Sequence, residues 1–451
     1  MKEPGPGAVR LSRVLSAVFF RSVEVTGAEK IPRTGPLLFV ANHGNSLVDP
    51  MLLLAHLPRR ARFLAKHTLW QNPLVRPLLE LAGAIPVYRR QDGAGGGDND
   101  ATFAACFLAL GDGGVIALFP EGISYHAPAL QPLKTGAARI AIGAERAHGP
   151  LDLRIVPVGL TFEDKAAFRS RALVVVGDAI DPSPEIAQSR ADDRAASRAL
   201  TSRIEDGLRD VTLNFASFEE SRVVERAADV LAEDARVMPG RPELGVRFPL
   251  RQAFGEAYGA ARAHDPARVA RLEAMVRDYD ALLAARGLRD DQVSARYSKR
   301  LSAYYVGTRA LPLALALPLA VVGTVLNYVP YRVPGFAAKL ARGDGDLPAT
   351  YKLLTGLALA PICWALEAAV AYRLAGGFAA AAVFGIAPLS GWIALRFHEQ
   401  NDSFWDEVRA WLVLRLFPRR AAQLRALRSE IRRELDALAA ATPPPPRAGP
   451  G

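Results

Sequence analysis

Short apolar runs ending in polar clusters recur through the first 180 residues, and longer helical periodicities replace them afterwards. Residues 37–40 are apolar and follow the turn-forming Thr34-Gly35-Pro36, the pattern of a buried strand. Residues 22–25, 83–88, 115–119, 154–160 and 173–176 read as further strands, with helical spacing at 102–110 and 136–142 between them. This alternation predicts an α/β fold whose mixed, largely parallel sheet is flanked by helices. Pro157 inside the strand at 154–160 implies an edge strand or a bulge and gives that residue an architectural role. Asp181-Pro182 then closes the α/β unit.

On either side of that unit the pattern is helical. Residues 8–20 place Leu11, Val14, Leu15, Val18 and Phe19 at helical spacing, interrupted or flanked by Arg10, Arg13 and Arg21. The stretch is too short to span a bilayer and lacks a cleavage site, so it predicts one amphipathic helix, either interfacial or docked on the protein's own core. After residue 190, Ala, Arg, Glu and Leu dominate, with helical periods at 195–211 and 224–235 and a helix from Asp265-Pro266 to Arg286 before Gly287. Residues 311–328, 353–371 and 378–395 are apolar enough to enter a bilayer, although the alanine content of the last two also suits buried helices. Basic residues flank 311–328 on both sides, which suggests that Pro312 and Pro318 break it into a re-entrant or interfacial element. Only Arg373 lies between the other two segments, and many arginines follow them, as for two spans joined by a short external hairpin. The expected layout is therefore an interfacial helix (1–21), an α/β domain (22–185), a helical insert (186–305), membrane segments (306–400), and amphipathic helices with a disordered tail (401–451).

Composition narrows the partners. With 451 residues, 50% of them hydrophobic, the chain exceeds one compact core. A net charge of +10 calls for an anionic partner, nucleic acid or an anionic lipid surface with a phosphorylated substrate. The apolar segments favour membrane lipids, and no nucleic acid partner is expected. Cys106 and Cys363 make no disulfide framework or zinc motif, and the histidines show no HExxH spacing, so no metal is expected.

The candidate chemistry lies where the apolar runs end. His43 follows the strand at 37–40, at the carboxyl edge where α/β sheets place ligands. Asp49, expected at a helix N-cap with Pro50 in the first helical position, can orient His43 as a general base; a turn histidine beside an ordinary cap is the bland alternative. Arg89 and Arg90 end the strand at 83–88 with two planar donor forks that suit phosphate oxygens or, equally, solvent. Glu121, after the strand at 115–119, can take polyol hydroxyls or hold a cation, and Gly122 lets a ligand approach the backbone. Lys134 is either a phosphate contact or a solvated lysine.

The order Asn42-His43 with Asp49, then Gly83 to Arg90, then Phe119-Pro120-Glu121-Gly122, then Val156-Pro157 resembles the four blocks of the PlsC-type glycerophospholipid acyltransferase family. The resemblance covers about residues 20–185. Five residues separate His43 from Asp49 where the family's usual pattern has four, and Asn45 with Asp49-Pro50 looks like the branch of fungal glycerol-3-phosphate and dihydroxyacetone-phosphate acyltransferases. The resemblance implies direct acyl transfer from an acyl-CoA or acyl-carrier-protein thioester to a glycerol-phosphate hydroxyl, without a cofactor. His43 would be the general base, Asp49 its orienting partner, and Arg89, Glu121 and Gly122 would serve the acceptor; Asn45, Arg90 and Lys134 are further substrate-binding candidates. Lysophosphatidic acid and dihydroxyacetone phosphate are alternative acceptors.

Two other classes stay open. Ser46 lies three residues from His43, as a hydrolase nucleophile would, but no GxSxG elbow accompanies it. A catalytically silent lipid-binding protein is the third reading, favoured only if His43 and Asp49 cannot meet.

Overall fold

The computed structural model describes residues 3–73, 75–88, 98–232, 243–295, 299–340 and 347–441. Two compact units emerge, one comprising Met1–Asn214 with Val333–Ala358, the other Phe215–Arg332 with Leu359–Gly451.

In the first unit the chain runs α1 (Pro6–Phe19), β1 (Phe20–Thr26), β2 (Leu37–Ala41), α2 (Val48–His56), β3 (Arg62–Lys66), α3 (Arg76–Leu81), β4 (Ile85–Val87) and α4 (Asp98–Gly111). It continues through β5 (Val115–Leu118), α5 (Gly136–His148), β6 (Arg154–Phe162), β7 (Ser170–Val176), α6 (Ser183–Gln188) and α7 (Asp193–Val211). The sheet order is β1-β7-β6-β2-β5-β3-β4. Every neighbouring pair is parallel except β6 and β7, so the sheet is mixed and largely parallel.

β2 sits near the middle and is buried throughout, which accounts for its uninterrupted apolar run. Its alternating side chains feed two cores. Leu37, Phe39 and Ala41 pack with Leu53 and Leu54 of α2 and Ala8 of α1, while Leu38 and Val40 pack with Leu110 of α4, Ile140 of α5 and Leu200 of α7. The result is a three-layer sandwich with the carboxyl ends of β2, β5, β3 and β4 along one edge.

Several elements differ from their expected form. α7 packs on the sheet, so the first unit runs past the boundary expected at 185. A Cβ on Gly159 of β6 would fall 1.6 Å from the Val211 carbonyl oxygen, so only glycine permits this close helix approach. β6 is an interior strand, not an edge. Pro157 is tolerated there because the β6–β7 register slips by one residue between the Val158–Val176 pair and the Ile155–Ile180 bridge. Its ring sits against Gly177 and Gly207, where added Cβ atoms would lie 3.1 and 2.9 Å from its Cγ.

α1 docks with the face Ala8, Ser12, Ser16 and Phe19, leaving Val14 and Val18 of the expected apolar stripe exposed. Small side chains let α1 approach α2 closely: Ser16 Oγ shares a 2.8 Å hydrogen bond with His56 Nε2, and Arg13 Nε donates to the Ala55 carbonyl at 3.0 Å. Burial, with Arg13 adding to it, lowers the pKa of His56, keeping it neutral.

The second unit holds α8 (Phe218–Ala232), α9 (Leu244–His264), α10 (Pro266–Arg286), α11 (Asp290–Ser294), α12 (Lys299–Leu326) and α15 (Pro418–Ala441). α13 (Tyr328–Leu340) and α14 (Pro348–Leu416) each run through both units in sequence. Asp265 caps α10 by accepting from Arg268 N, and Gly287 ends it in the left-handed conformation, as the sequence predicts. α12 stays helical through Pro312 and Pro318, so the expected break there does not occur. α14 is interrupted at Gly376 (φ 82°), between the two apolar segments read from the sequence. Asn327 Nδ2 donates to the Ala387 carbonyl at 3.0 Å, and Trp364 Nε1 donates to Asn327 Oδ1 at 2.9 Å. Only 11% of the most apolar window of Gly307–Leu326 and 17% of that of Pro348–Leu416 is buried, less than in a packed core helix, and both are long and apolar enough to cross a membrane. The proline-rich end at 443–446 lies outside the described residues.

Candidate functional site

β2 ends at Ala41, and the next side chain extends its pairing: Asn42 Nδ2 donates to the Leu160 carbonyl at 3.0 Å while Asn42 Oδ1 accepts from Leu160 N at 2.7 Å. His43 is thereby delivered just beyond the sheet edge. The chain turns back at Ser46, whose φ of 44° is left-handed, and α2 begins at Val48. That turn accommodates the five residues between His43 and Asp49 and shifts the helix start. Leu47, not Asp49, occupies the N-cap position; Asp49 is the second residue of the helix and Pro50 the third. Proline costs no intrahelical bond there, because first-turn amides have no helical acceptor.

Freed from capping, the Asp49 carboxylate turns back on the loop. Its Oδ2 accepts from Asn45 N and from His43 Nδ1, both at 2.8 Å, and its side chain is fully buried. The bond to the carboxylate puts the proton on His43 Nδ1 and leaves the lone pair on Nε2. The imidazole is clamped further by Phe119, which stacks on it with centroids 4.1 Å apart and planes 13° from parallel. Its backbone amide donates to Glu121 Oε1 at 3.3 Å, and its carbonyl accepts from Tyr125 N at 3.0 Å.

Glu121 follows β5 and is 5% exposed. Burial pushes its carboxyl up to about 7; Asp49 raises it further, and the bond from the His43 amide opposes both. Gly122 takes φ +77°, a conformation that favours glycine, and the flexible end of Lys134 lies over it, its Nζ 2.7 Å from where a Cβ would sit.

A cavity of about 520 Å³ opens beside the imidazole. His43, Ser46, Lys66, Tyr88, Lys134 and Thr350 are among its polar lining residues. Leu11 and Leu15 of α1, Leu54 of α2, Phe63 of β3 and Leu79 of α3 make much of its apolar wall. This volume suits a mainly apolar ligand with a few polar anchors.

Of the predicted site residues, His43, Gly122 and Lys134 line the cavity, with Asp49 and Glu121 bonded to His43 just behind it. Asn45 does not face a ligand: it is 1% exposed and its Nδ2 donates to the Lys165 carbonyl at 3.0 Å. Pro157 is buried in β6 and lies outside the cavity wall. Arg89 and Arg90 lie outside the described residues; Tyr88, immediately before them, lines the cavity. Sequence reasoning missed Phe119 as a ring support, Lys66, Tyr88 and Thr350 on the wall, and Lys165, whose Nζ donates to the Gly44 and Tyr125 carbonyls at 3.1 and 3.3 Å. Lys66 ends a strand as Arg89 and Arg90 were expected to; the other four have no spacing signal. Cys106 is no hidden nucleophile, since burial pushes its thiol up to about 12.

Residues 22–161 match the family model described as "Acyltransferase", and residues 242–444 match "Glycerol-3-phosphate acyltransferase 2 C-terminal domain". The chain carries an acyltransferase-family domain. This acyltransferase is 26% identical to an uncharacterized acyltransferase of Schizosaccharomyces pombe, over 92% of its own length and 77% of the relative's. It is 29% identical to glycerol-3-phosphate O-acyltransferase 2 of Saccharomyces cerevisiae, over 59% of its length but only 37% of that protein. Among solved structures, PlsC from Thermotoga maritima, a 1-acyl-sn-glycerophosphate acyltransferase, aligns with a TM-score of 0.35 and 20% identity, covering 46% of this chain and 77% of the other. The reaction class is O-acyl transfer.

The raised carboxyl of Glu121 has a consequence for stability. Its folded pKa of about 7 exceeds the unfolded value of 4.5, so the native state binds the extra proton, and stability falls as pH rises through that window. Glu121→Gln should therefore become progressively more stable than the native chain from pH 4.5 to 7, with a constant difference above. Denaturation midpoints across pH measure this; a pH-independent difference contradicts the burial of a raised carboxyl.

Proposed function

We propose that this acyltransferase moves an acyl chain from an acyl-CoA or acyl-carrier-protein thioester to a hydroxyl of glycerol 3-phosphate, at a membrane surface and in phospholipid synthesis. The observation that carries the proposal is the 2.8 Å bond between His43 Nδ1 and a fully buried Asp49, beside a cavity with a large apolar wall. In this reading His43 Nε2 takes the proton as the acceptor hydroxyl attacks the thioester carbonyl. The C–S bond then breaks, and the imidazolium returns the proton to the leaving thiolate. No enzyme nucleophile is needed. Lys66 and Lys134 on the cavity wall supply positive charge for the acceptor phosphate, with Arg89 and Arg90 following Tyr88 in the chain. The apolar wall takes the acyl chain, and the names of the Saccharomyces relative and of the C-terminal family model favour glycerol 3-phosphate as acceptor.

The membrane arrangement follows from the layout of the chain. Residues 333–358 share a compact unit with 1–214, which supports an even number of crossings between them. Among the described residues between, Gly307–Leu326 is the one helix long and apolar enough to cross. We therefore read α12, an unbroken helix, as lying in the interface, and the two parts of α14 about Gly376 as a hairpin of two spans, with the catalytic unit cytoplasmic.

Purified chain with labelled acyl thioester should label glycerol 3-phosphate over lysophosphatidic acid and dihydroxyacetone phosphate, and His43→Ala should lower the rate by about 10²–10⁴-fold. An undiminished rate in His43→Ala overturns the mechanism, and label released as free acid without acceptor points to a hydrolase. In a chain with Cys106→Ser and Cys363→Ser, single cysteines at Val14→Cys and Phe336→Cys, both exposed, should react with an impermeant maleimide from the same face of sealed vesicles. Labelling from opposite faces contradicts the crossing argument.

A further inference from the structure

The loop that carries the catalytic pair has an unusual way of satisfying its backbone. His43, Asn45, Ser46 and Leu47 each donate their amide to a side-chain oxygen: Glu121 Oε1, Asp49 Oδ2, Ser124 Oγ and Thr350 Oγ1, at 3.3, 2.8, 3.1 and 3.2 Å. Three of these oxygens come from the α/β domain. The fourth, Thr350, comes from 303 residues further along the chain.

Its place matters because Leu47 is the N-cap of α2, two residues before the carboxylate that holds His43. The amide of an N-cap residue has no acceptor within its helix. Thr350 takes it from outside. Its neighbours grip the same loop: Ala349 and Leu353 pack with Val48, Met51 and Leu52 of α2, and Lys352 Nζ donates to the Ala166 carbonyl at 2.6 Å. Ala166 follows Lys165, whose ammonium reaches the Gly44 carbonyl and whose own carbonyl accepts from Asn45 Nδ2. Residues 349–353 thus hold the loop from its Leu47 side and, through Lys165, from its Gly44 side. All of these residues belong to the first compact unit.

We propose that Thr350 is a positioning residue for the acyl-transfer site, setting the orientation of Asp49 and hence of His43 by fixing the Leu47 amide at the start of α2. This rests on the function proposed above for His43 and Asp49. It makes the acyl-transfer site a product of two separate stretches: the α/β domain brings the reacting groups, and the first turn of the long apolar helix holds them. Thr350 and Leu353 also line the cavity, so the same turn contributes to the substrate wall.

The test compares Thr350→Val, which keeps the shape and removes the acceptor, with Thr350→Ser, which restores it, in the full-length chain. Thr350→Val should lower kcat about 10–100-fold, as loss of a supporting hydrogen bond around reacting groups does, while KM for both substrates stays within about twofold. Thr350→Ser should recover most of kcat. Hydrogen–deuterium exchange of the peptide containing Leu47 should quicken in Thr350→Val and be native-like in Thr350→Ser. Native kcat and native exchange in Thr350→Val overturn the proposal, as does a serine variant no better than valine, or a rate loss fully accounted for by a lower Tm. The exchange measurement needs no substrate, so a chain that transfers no acyl group defeats the functional reading while the role of Thr350 is still decided.

Discussion

A charged carboxylate is taken out of water at Asp49, and the surrounding loop is shaped by that burial. An isolated buried carboxylate is costly, and its penalty falls when donors converge on it. Here the donors are the His43 ring and the Asn45 amide, and the first turn of α2 adds its favourable dipole. Those bonds require the backbone to double back at Ser46 in the left-handed conformation. A loop bent in this way presents amides with no strand or helix partner, and Glu121, Ser124 and Thr350 take them. The imidazole orientation is therefore a property of the whole loop.

The same constraint ties the site to its surroundings. Glu121 supports the His43 amide from the end of β5, and Phe119, two residues earlier, covers the ring. Parallel pairing of β2 with β5 brings these two strand ends together, which is why the polar clusters closing separate apolar runs converge. α1, α2 and α3 then wall a cavity on the side of the ring, so the imidazole–carboxylate pair and a largely apolar surface share one edge of the sheet.

Much of this was legible in the sequence. The strands at 37–40, 115–119 and 154–160 announce themselves by short apolar runs bounded by turn residues, and the residues that close the first two are those at the site. What could not be read was geometry set by distant partners. Capping preference favours Asp49 at the N-cap, but the turn at Ser46 moves the helix start and redirects the carboxylate to His43. Hydropathy ranks Val14 and Val18 above Ser12 and Ser16, yet close helix contact favours the small side chains, so α1 buries the less apolar face. The pattern of α7 reveals which of its faces is buried but not against what, and it packs on the sheet it was expected to lie beyond. Thr350 carries no local signal at all, since its partner is Leu47.

The central claim is that the buried Asp49 carboxylate fixes the proton on His43 Nδ1 so that Nε2 can act as base. Steady-state kinetics of Asp49→Asn test it most directly, because the substitution keeps the size of the side chain and removes the charge that selects the tautomer. The account predicts that kcat falls by at least about 10²-fold, by analogy with other carboxylate-oriented histidines, with KM for the acceptor near native. Native kcat in Asp49→Asn would contradict it.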